Sequence, residues 1–229
     1  MLLKRAAGKE KDDDNRAGER RRMVYEQLIS RGIENDDVIQ SMLEVPRHRF
    51  VPKHLQEYAY QDGPLAIGEG QTISQPYIVA LMIEALEPAP SDRVLEVGTG
   101  SGYAAAVLSR IVSVVYTIER FDSLARGARS LFQSLKYDNI YVRTGDGTKG
   151  WPEAAPFDGI IVSAGAPAVP QTLCGQLKPG GRLVAPVGDK RWQELLVVRR
   201  ALDGGYNVKK LGTVFFVPLV GEEGWHDET

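Results

Sequence analysis

The positions between Met23 and Leu86 follow the spacing of amphipathic helices. Apolar residues recur three and four positions apart, so that one face of each helix can be buried. Gly32 interrupts the first run, and Pro46 ends the second because proline cannot continue a helix. A third helix is predicted to begin near Pro76, since proline is favoured in a first helical turn. The positions with this spacing are Met23, Val24, Gln27, Leu28, Val38, Ile39, Met42, Leu43, Tyr77, Leu81 and Leu86.

Short apolar strands alternate with helices from Arg93 onward. This order predicts a mainly parallel, seven-stranded sheet with helices on both faces, a Rossmann-like α/β fold. The turn Asp203-Gly204-Gly205 is typical of a hairpin, so the last two strands are expected to form a C-terminal antiparallel pair. The predicted strands are Val94–Val97, Val114–Ile118, Ile140–Arg143, Gly159–Val162, Arg182–Val187, Glu194–Arg199 and Tyr206–Val217.

The composition excludes several classes of protein. The 229 residues carry 28 Lys and Arg against 30 Asp and Glu, and this net charge of −2 offers no general attraction to nucleic acid or to an anionic membrane. Cys174 is the only cysteine, which excludes a disulfide framework and a cysteine-rich zinc site. No apolar run approaches the roughly 18 residues of a membrane span. We therefore expect a cytoplasmic protein with no metal and no nucleic-acid or membrane partner.

Charge is unevenly distributed along the chain. Residues 1–22 hold 8 Lys and Arg and 5 Asp and Glu, a net of +3, so that the remaining residues carry a net of −5. Because the segment has almost no aliphatic content after Leu3, we interpret residues 1–22 as a charged, flexible tail. A basic arm for RNA is the functional alternative, which the acidic run from Asp12 to Asp14 disfavours.

Residues 94–103 join a strand to a glycine-rich turn, as nucleotide-binding folds do. The dinucleotide fingerprint expects a third glycine where Tyr103 stands, and Glu96 at the strand end would repel a pyrophosphate. That carboxylate instead suits S-adenosylmethionine, which has an amino group and a sulfonium centre and no phosphate. Glu119 after the second strand is placed to accept from a ribose diol, and Asp146 after the third is placed to accept from an adenine amine. Each acid alone is also typical of a solvated turn, but the three together predict S-adenosylmethionine as the cofactor.

Several methyl acceptors are compatible with such a fold. Methylation of exocyclic base amines usually comes with an Asn/Asp-Pro-Pro-aromatic motif after the fourth strand, where this chain has Ser163-Ala164-Gly165-Ala166-Pro167. Cytosine C5 methylation needs a reactive cysteine, whereas Cys174 is expected to pack on a helix that leads away from the pocket. No spacing indicates acidic ligands for a metal. A small-molecule methyltransferase, and a module that binds S-adenosylmethionine without transferring its methyl group, stay open from the residues alone.

Motifs in a fixed order extend over nearly the whole chain beyond residue 22. They are Pro46-Arg47, Phe50-Val51-Pro52, Gly70-Gln71-Thr72-Ile73-Ser74-Gln75-Pro76, the glycine turn, Gly145-Asp146-Gly147, Ala155-Pro156-Phe157-Asp158, the run from Gln176 to Gly188, and Phe216-Val217-Pro218-Leu219. In this order the chain resembles the protein-L-isoaspartate (D-aspartate) O-methyltransferase family from about residue 23 to 220. The resemblance implies a class I S-adenosylmethionine-dependent methyltransferase. Its most discriminating part is the TISQP segment with the upstream FVP, because many methyltransferases share the glycine turn.

The resemblance also implies the reaction and the site. Members of the family methylate the free α-carboxylate of L-isoaspartyl residues in damaged proteins and release S-adenosyl-L-homocysteine; the ester then closes to a succinimide, which begins repair. Ser74 is implied as the active-site serine, although a serine just before Pro76 also suits a helix cap. We expect a monomer with a single domain at 23–229, in which 23–90 covers the active site and 91–229 binds the cofactor. The cofactor-binding candidates are Gln71, Thr72, Ile73, Ser74, Glu96, Gly98, Gly100, Gly102, Glu119, Arg120, Asp146 and Gly147.

Overall fold

A seven-stranded sheet lies at the centre of the computed structural model, which describes residues 16–226. The strands are β1 (Leu65–Gly68), β2 (Gln71–Ile73), β3 (Arg93–Val97), β4 (Val114–Glu119), β5 (Ile140–Thr144), β6 (Phe157–Val162), β7 (Leu177–Gly188), β8 (Gln193–Arg200) and β9 (Tyr206–Val214). The sheet order is β5-β4-β3-β6-β7-β8-β9, with β3 to β7 parallel and β8 and β9 forming the antiparallel pair. All seven predicted strands and the C-terminal hairpin are thus confirmed, although β7 begins earlier than predicted, at Leu177, and β9 ends earlier, at Val214.

Helices cover both faces of this sheet. They are α1 (Ala17–Met23), α2 (Asp36–Glu44), α3 (Pro76–Leu86), α4 (Tyr103–Leu108), α5 (Asp122–Leu135) and α6 (Gln171–Gly175). Shorter π- or 3-10-helical segments are Val24–Leu28, Ile29–Arg31, Arg47–Phe50, Lys53–Tyr58 and Gly147–Lys149. Two predicted boundaries are confirmed: α3 begins at Pro76, and Gly32 ends the first helical run with a left-handed φ of 91°.

The strand residues alternate between two buried layers. Val94 packs with the N-terminal helices on one face, whereas Leu95 and Val97 pack with α6 on the other. Burial on both faces explains the nearly continuous apolar character of these strands. The same alternation puts Glu96 on the face that Val94 shares with the N-terminal helices, which is where the chemistry described below lies.

The small β1–β2 hairpin is a feature that the sequence pattern did not predict. Glu69 and Gly70 form its two-residue turn, with φ values of 53° and 67°. Positive φ at both central positions matches the twist of a tight antiparallel hairpin. The glycine-rich passage before Pro76 therefore folds back on itself and places Gln71 to Ile73 in a strand.

The boundary of the predicted tail is wrong for residues 17–22, which belong to α1. Hydrogen bonds from arginine side chains, and not the burial of aliphatic side chains, hold this segment against the rest of the protein. Arg16 Nη1 donates to Gln56 O at 2.6 Å, and Arg20 Nε donates to Leu43 O. Arg16 also pairs with Glu19 at 3.0 Å. The prediction counted only aliphatic side chains and so missed arginines that bind carbonyl groups. Residues 1–15 of the predicted tail lie outside the described residues.

Arg47 joins three parts of the N-terminal segment from a position that is 0% exposed. Its Nε donates to Ala59 O at 2.8 Å and its Nη2 donates to Ser74 O at 2.7 Å. The guanidinium carbon lies 4.8 Å from the centre of the Tyr103 ring, a cation–π distance. Burial lowers the pKa of Arg47 to about 10, and the electrostatic influence of Tyr103 opposes that shift.

We expect Arg47→Met to lower the free energy of unfolding by about 2 kcal/mol. Removing the guanidinium takes the donors away from the buried Ala59 carbonyl and the half-buried Ser74 carbonyl, at up to about 1–3 kcal/mol each, and relief of the buried charge offsets part of this loss. Urea denaturation measures the change. Arg126→Met is the matched control, because the Arg126–Asp122 pair is exposed and such pairs contribute about 0–1 kcal/mol. Equal stability of the two variants would contradict the anchoring role.

Candidate active site

A cleft opens at the carboxyl ends of β3, β4 and β6, where ligands bind in open α/β sheets. The cleft and its solvent-filled mouth together hold about 920 Å³ of space. All of the predicted site residues line this cleft except Gly102 and Asp146. The predicted residues that line it are Gln71, Thr72, Ile73, Ser74, Glu96, Gly98, Gly100, Glu119, Arg120 and Gly147.

The glycine turn at 98–102 forms one wall of the cleft and is held by the neighbouring strand. Gly98 N donates to Ile118 O at 2.8 Å, and Gly100 N donates to Glu119 Oε2 at 2.8 Å. Gly102 lies on the other side of the turn, where an added Cβ would come within 2.5 Å of the Phe132 ring. Gly102 is therefore required for packing against α5, while Gly98 and Gly100 present main chain to the cleft.

Glu96 places a carboxyl group in the wall of the cleft while being only 1% exposed. Its Oε2 accepts from Thr117 Oγ1 at 2.6 Å, and Thr117 Oγ1 lies 2.7 Å from Thr99 Oγ1. Burial raises the pKa of Glu96 to about 8; the hydrogen bond from Thr117 opposes this and the nearby Glu119 adds to it. Without a ligand Glu96 is therefore mostly protonated at pH 7. A cation bound beside it would lower this pKa, because the positive charge stabilises the ionised carboxylate.

Glu119 is the second buried acid of the cleft, one strand away from Glu96. Its Oε1 accepts from Phe121 N at 3.0 Å, and its Oε2 accepts from Gly100 N. These bonds fix the carboxylate between the glycine turn and the start of α5. Arg120, the next residue, also lines the cleft and lies over the Phe121 ring at 4.9 Å.

Asp146 faces the C-terminal segment instead of lining the cleft. Its Oδ1 accepts from Thr148 N at 2.9 Å and from Thr148 Oγ1 at 2.7 Å, and its Oδ2 accepts from Glu222 N at 2.9 Å. Burial of this carboxyl group favours its neutral form, but the hydrogen bonds outweigh that effect and lower its pKa. A carboxylate has about four acceptor positions, so one is left after these three bonds. Gly147, beside it, does line the cleft.

The segment Gln71–Ser74 forms the wall that the N-terminal part of the chain contributes. Ser74 is half-buried, and its carbonyl oxygen is held by Arg47. The N-cap residue of α3 is Gln75, and no side chain caps the helix there. The helix therefore does not use the Ser74 hydroxyl as its N-cap, and the active-site role of Ser74 stays a prediction.

The segment Val217 to Val220 also forms a wall of the cleft, and it is not among the residues that the sequence predicted for the site. It follows β9 and is bound to the chain after β6, because Gly165 N donates to Val217 O and Leu219 N donates to Gly165 O, both at 2.8 Å. The motif Phe216-Val217-Pro218-Leu219 was the available signal, but nothing local in it indicates which loop it contacts.

Two of the alternative chemistries, cytosine C5 methylation and metal-dependent transfer, receive no support from the described residues. Cys174 lies on α6 and does not line the cleft, and burial, followed by the charge of Glu223, raises the pKa of its thiol to about 11. Such a thiol is a poor nucleophile. Within residues 16–226 no three His, Cys, Asp or Glu side chains are grouped to hold a metal ion, and no helix has the length and apolarity to cross a membrane.

A mainly parallel sheet with a glycine turn and buried acids at its carboxyl edge is the architecture of a class I, Rossmann-like methyltransferase. A family model described as protein-L-isoaspartate(D-aspartate) O-methyltransferase (PCMT) matches residues 19–224. The chain therefore belongs to the protein-L-isoaspartate (D-aspartate) O-methyltransferase family.

Individual relatives agree with this assignment. The chain is 59% identical over 204 residues to protein-L-isoaspartate O-methyltransferase 2 of Pelobacter propionicus, with 89% of this chain and 91% of the relative covered. It is 56% identical over 212 residues to protein-L-isoaspartate O-methyltransferase 1 of Geotalea uraniireducens, with 92% and 97% covered.

Solved structures of the family share the fold. A protein-L-isoaspartate O-methyltransferase superposes with a TM-score of 0.80 at 31% identity, over 89% of this chain and 66% of the other. A Plasmodium falciparum structure, named as a β-aspartate methyltransferase (PCMT) in complex with S-adenosyl-L-homocysteine, superposes with a TM-score of 0.75 at 28% identity, over 88% and 98%. S-adenosylmethionine is the cofactor of the family, and its demethylated product occupies that neighbour.

The raised pKa of Glu96 predicts how stability without ligand depends on pH. Folded Glu96 keeps its proton up to about pH 8, whereas the unfolded residue loses it near 4.5. The contribution of protonated Glu96 to the free energy of unfolding is therefore fully present below about pH 4.5. It is lost as the pH rises through 8, by at most about 1.4 kcal/mol per pH unit. Urea unfolding at pH 5.5, 7 and 8.5 should show that Glu96→Gln loses less stability than the parent over this range. Parallel curves for the two proteins would contradict the assignment.

Proposed function

We propose that this cleft transfers the methyl group of S-adenosylmethionine to the free α-carboxylate of L-isoaspartyl residues in damaged proteins. The observation that carries the proposal is a pair of buried carboxyl groups, Glu96 and Glu119, beside a glycine turn and opposite the Gln71–Ser74 wall. Esterification of that carboxylate allows closure to a succinimide, which gives the damaged residue a further chance of becoming normal aspartate.

The residues of the cleft fit S-adenosylmethionine by their chemistry. We assign Glu96 to its cationic part, since a buried carboxyl group with a raised pKa gains a charge partner there. Glu119 is assigned to the ribose hydroxyls, with Arg120 beside it. Asp146 does not itself line the cleft, so as the proposed acceptor for the adenine amine it would use its one remaining acceptor position beside Gly147, which does line the cleft. Gly98, Gly100 and Gly147 let main chain approach the ligand closely. Gln71, Thr72, Ile73 and Ser74 close over it, and Gly102 supports the turn from behind.

The acceptor needs little chemical activation. A carboxylate with an ordinary pKa near 4 is already ionised at neutral pH, so no general base is required. When bound, S-adenosylmethionine supplies an electrophilic methyl group on sulfur. The protein contributes orientation and the exclusion of water, which are worth several kcal/mol when the reacting atoms are held in line. The half-buried Ser74 hydroxyl is suited to donate a hydrogen bond to the substrate carboxylate or to its neighbouring main chain.

Three further properties stay predictions of the sequence. We propose that the protein acts as a monomer, in the cytoplasm, and without a nucleic-acid or membrane partner. The net charge of −2 and the apolar walls of the cleft support a peptide substrate over a polyanion. Light scattering combined with size exclusion reports the oligomeric state directly.

A peptide pair tests the activity. We expect labelled S-adenosylmethionine to give a base-labile methyl ester on a peptide that contains isoaspartate, and none on the same peptide with normal aspartate. The matched sequences remove every difference except the position of the carboxylate. Label on neither peptide, with cofactor binding shown by calorimetry, would indicate a binding module in place of an enzyme.

Ser74→Ala should lower kcat/KM on the isoaspartyl peptide by roughly ten- to hundredfold. A hydrogen bond to a charged group contributes about 1.5–3 kcal/mol, and Tm should change little because the hydroxyl is not the cap of α3. Ser134→Ala on α5 is the control, since that exposed hydroxyl bonds only to Leu131 O in its own helix. Unchanged turnover with a lower Tm would give Ser74 a structural role alone.

A further inference from the structure

Two large aromatic side chains stand exposed at the edge of the sheet that carries the cleft. Trp192 is 68% exposed and Phe215 is 74% exposed. Trp192 immediately precedes β8 and Phe215 immediately follows β9. Gln193 of β8 pairs with Val214 of β9. Trp192 and Phe215 are the next residues beyond this pair, so they lie opposite each other at the end of the hairpin strands. We refer to Trp192 and Phe215 together as the aromatic rim.

The turn that presents Trp192 is closed by its own hydrogen bonds. Asp189 N donates to Trp192 O at 3.0 Å. The Asp189 carboxylate accepts from Arg191 N and Trp192 N, both at 2.7 Å. These bonds hold the main chain of Trp192 at both its N and O atoms, and the turn thereby directs the Trp192 side chain toward solvent.

Buried Gln193 links the aromatic rim to the cleft. Its Oε1 accepts from Phe216 N at 2.8 Å, and its Nε2 donates to Asp189 O. The turn at 189–192 and the start of the segment after β9 therefore meet at one side chain. That segment continues directly into Val217 to Val220, which line the cleft. The rim is thus continuous with a wall of the active site.

We propose that the aromatic rim binds the polypeptide that flanks the isoaspartyl residue of the substrate, through an apolar or aromatic side chain of that polypeptide. This inference rests on the proposed function. The acceptor carboxylate belongs to a polypeptide, so the chain on either side of it must leave the cleft across the walls, and the wall at 217–220 leads to the rim.

The size of the rim favours a peptide over a second copy of this chain. Aromatic side chains bury about 150–250 Å² each, so two partly exposed rings offer roughly 300 Å². A stable dimer needs about 800 Å² on each partner. An area of this size instead matches one or two side chains of a flexible segment, and its contribution is expected in substrate affinity and not in the chemical step.

The test uses two isoaspartyl peptides of equal length, one flanked by Leu and Phe and the other by Ser and Gly. We expect Trp192→Ser combined with Phe215→Ser to raise KM for the apolar peptide about tenfold, with kcat unchanged and little effect on the polar peptide. Leu202→Ser is the matched control, because Leu202 is 87% exposed in the turn at the opposite end of the β8–β9 hairpin. Unchanged Tm and unchanged binding of S-adenosyl-L-homocysteine establish that the double variant is folded.

Each outcome separates the rim from the proposed function. Equal KM values for parent and double variant on the apolar peptide would overturn the proposed peptide-binding role of the aromatic rim. An equal rise in KM for both peptides would overturn it as well. A parent dimer that the double variant abolishes, with KM unaltered, would assign the rim to a second copy and also overturn the inference. Calorimetry with the apolar peptide and S-adenosyl-L-homocysteine is independent of turnover: weaker binding by the double variant, without ester formation by the parent, would support the rim and reject the proposed function.

Discussion

The buried guanidinium of Arg47 connects the Gln71–Ser74 wall of the cleft to the first residue of helix α4. Its acceptors, Ala59 O and Ser74 O, are uncharged carbonyl groups, and its third contact is the ring of Tyr103 at the start of α4. A fully buried cation is costly unless hydrogen bonds and the surrounding dipoles compensate for lost hydration. The position of Ser74 thus depends on a group outside the cleft, and the glycine turn meets the N-terminal segment at Tyr103.

Glu96 shows a similar conflict between stability and function. The alternation along β3 puts its side chain on the same face as Val94, where apolar packing would be more favourable. Burial raises its pKa to about 8, so the unliganded protein holds a neutral acid in an apolar wall. A ligand that carries positive charge would reverse this penalty by stabilising the ionised form. The local rules of burial are thus broken at the wall of the cleft, and natural proteins tolerate such costs mainly at functional sites.

Sequence reasoning succeeded where the signal was local and periodic. The strand ends, the glycine turn and the order of Glu96 and Glu119 could be predicted because parallel strands deliver their carboxyl ends to one edge. The helix at 17–22 could not, since Arg16 and Arg20 bind carbonyl groups distant in the chain. The wall at 217–220 depends likewise on pairing with Gly165, which no local pattern encodes.

The wall at 217–220 is held at both ends by side chains that bind main chain. Gln193 accepts from Phe216 N before the wall, and Asp146 accepts from Glu222 N after it. An added Cβ at Gly221 would collide with the Asp146 carboxylate, so the close approach of the chain to Asp146 requires glycine at this position. Between these two points the wall is also held by Gly165, and Leu219 packs in the apolar core, so the same residues shape the cleft and stabilise the fold. The hydrogen bond from Glu222 N to Asp146 and the close approach of Gly221 thus fix where the C-terminal segment leaves the cleft.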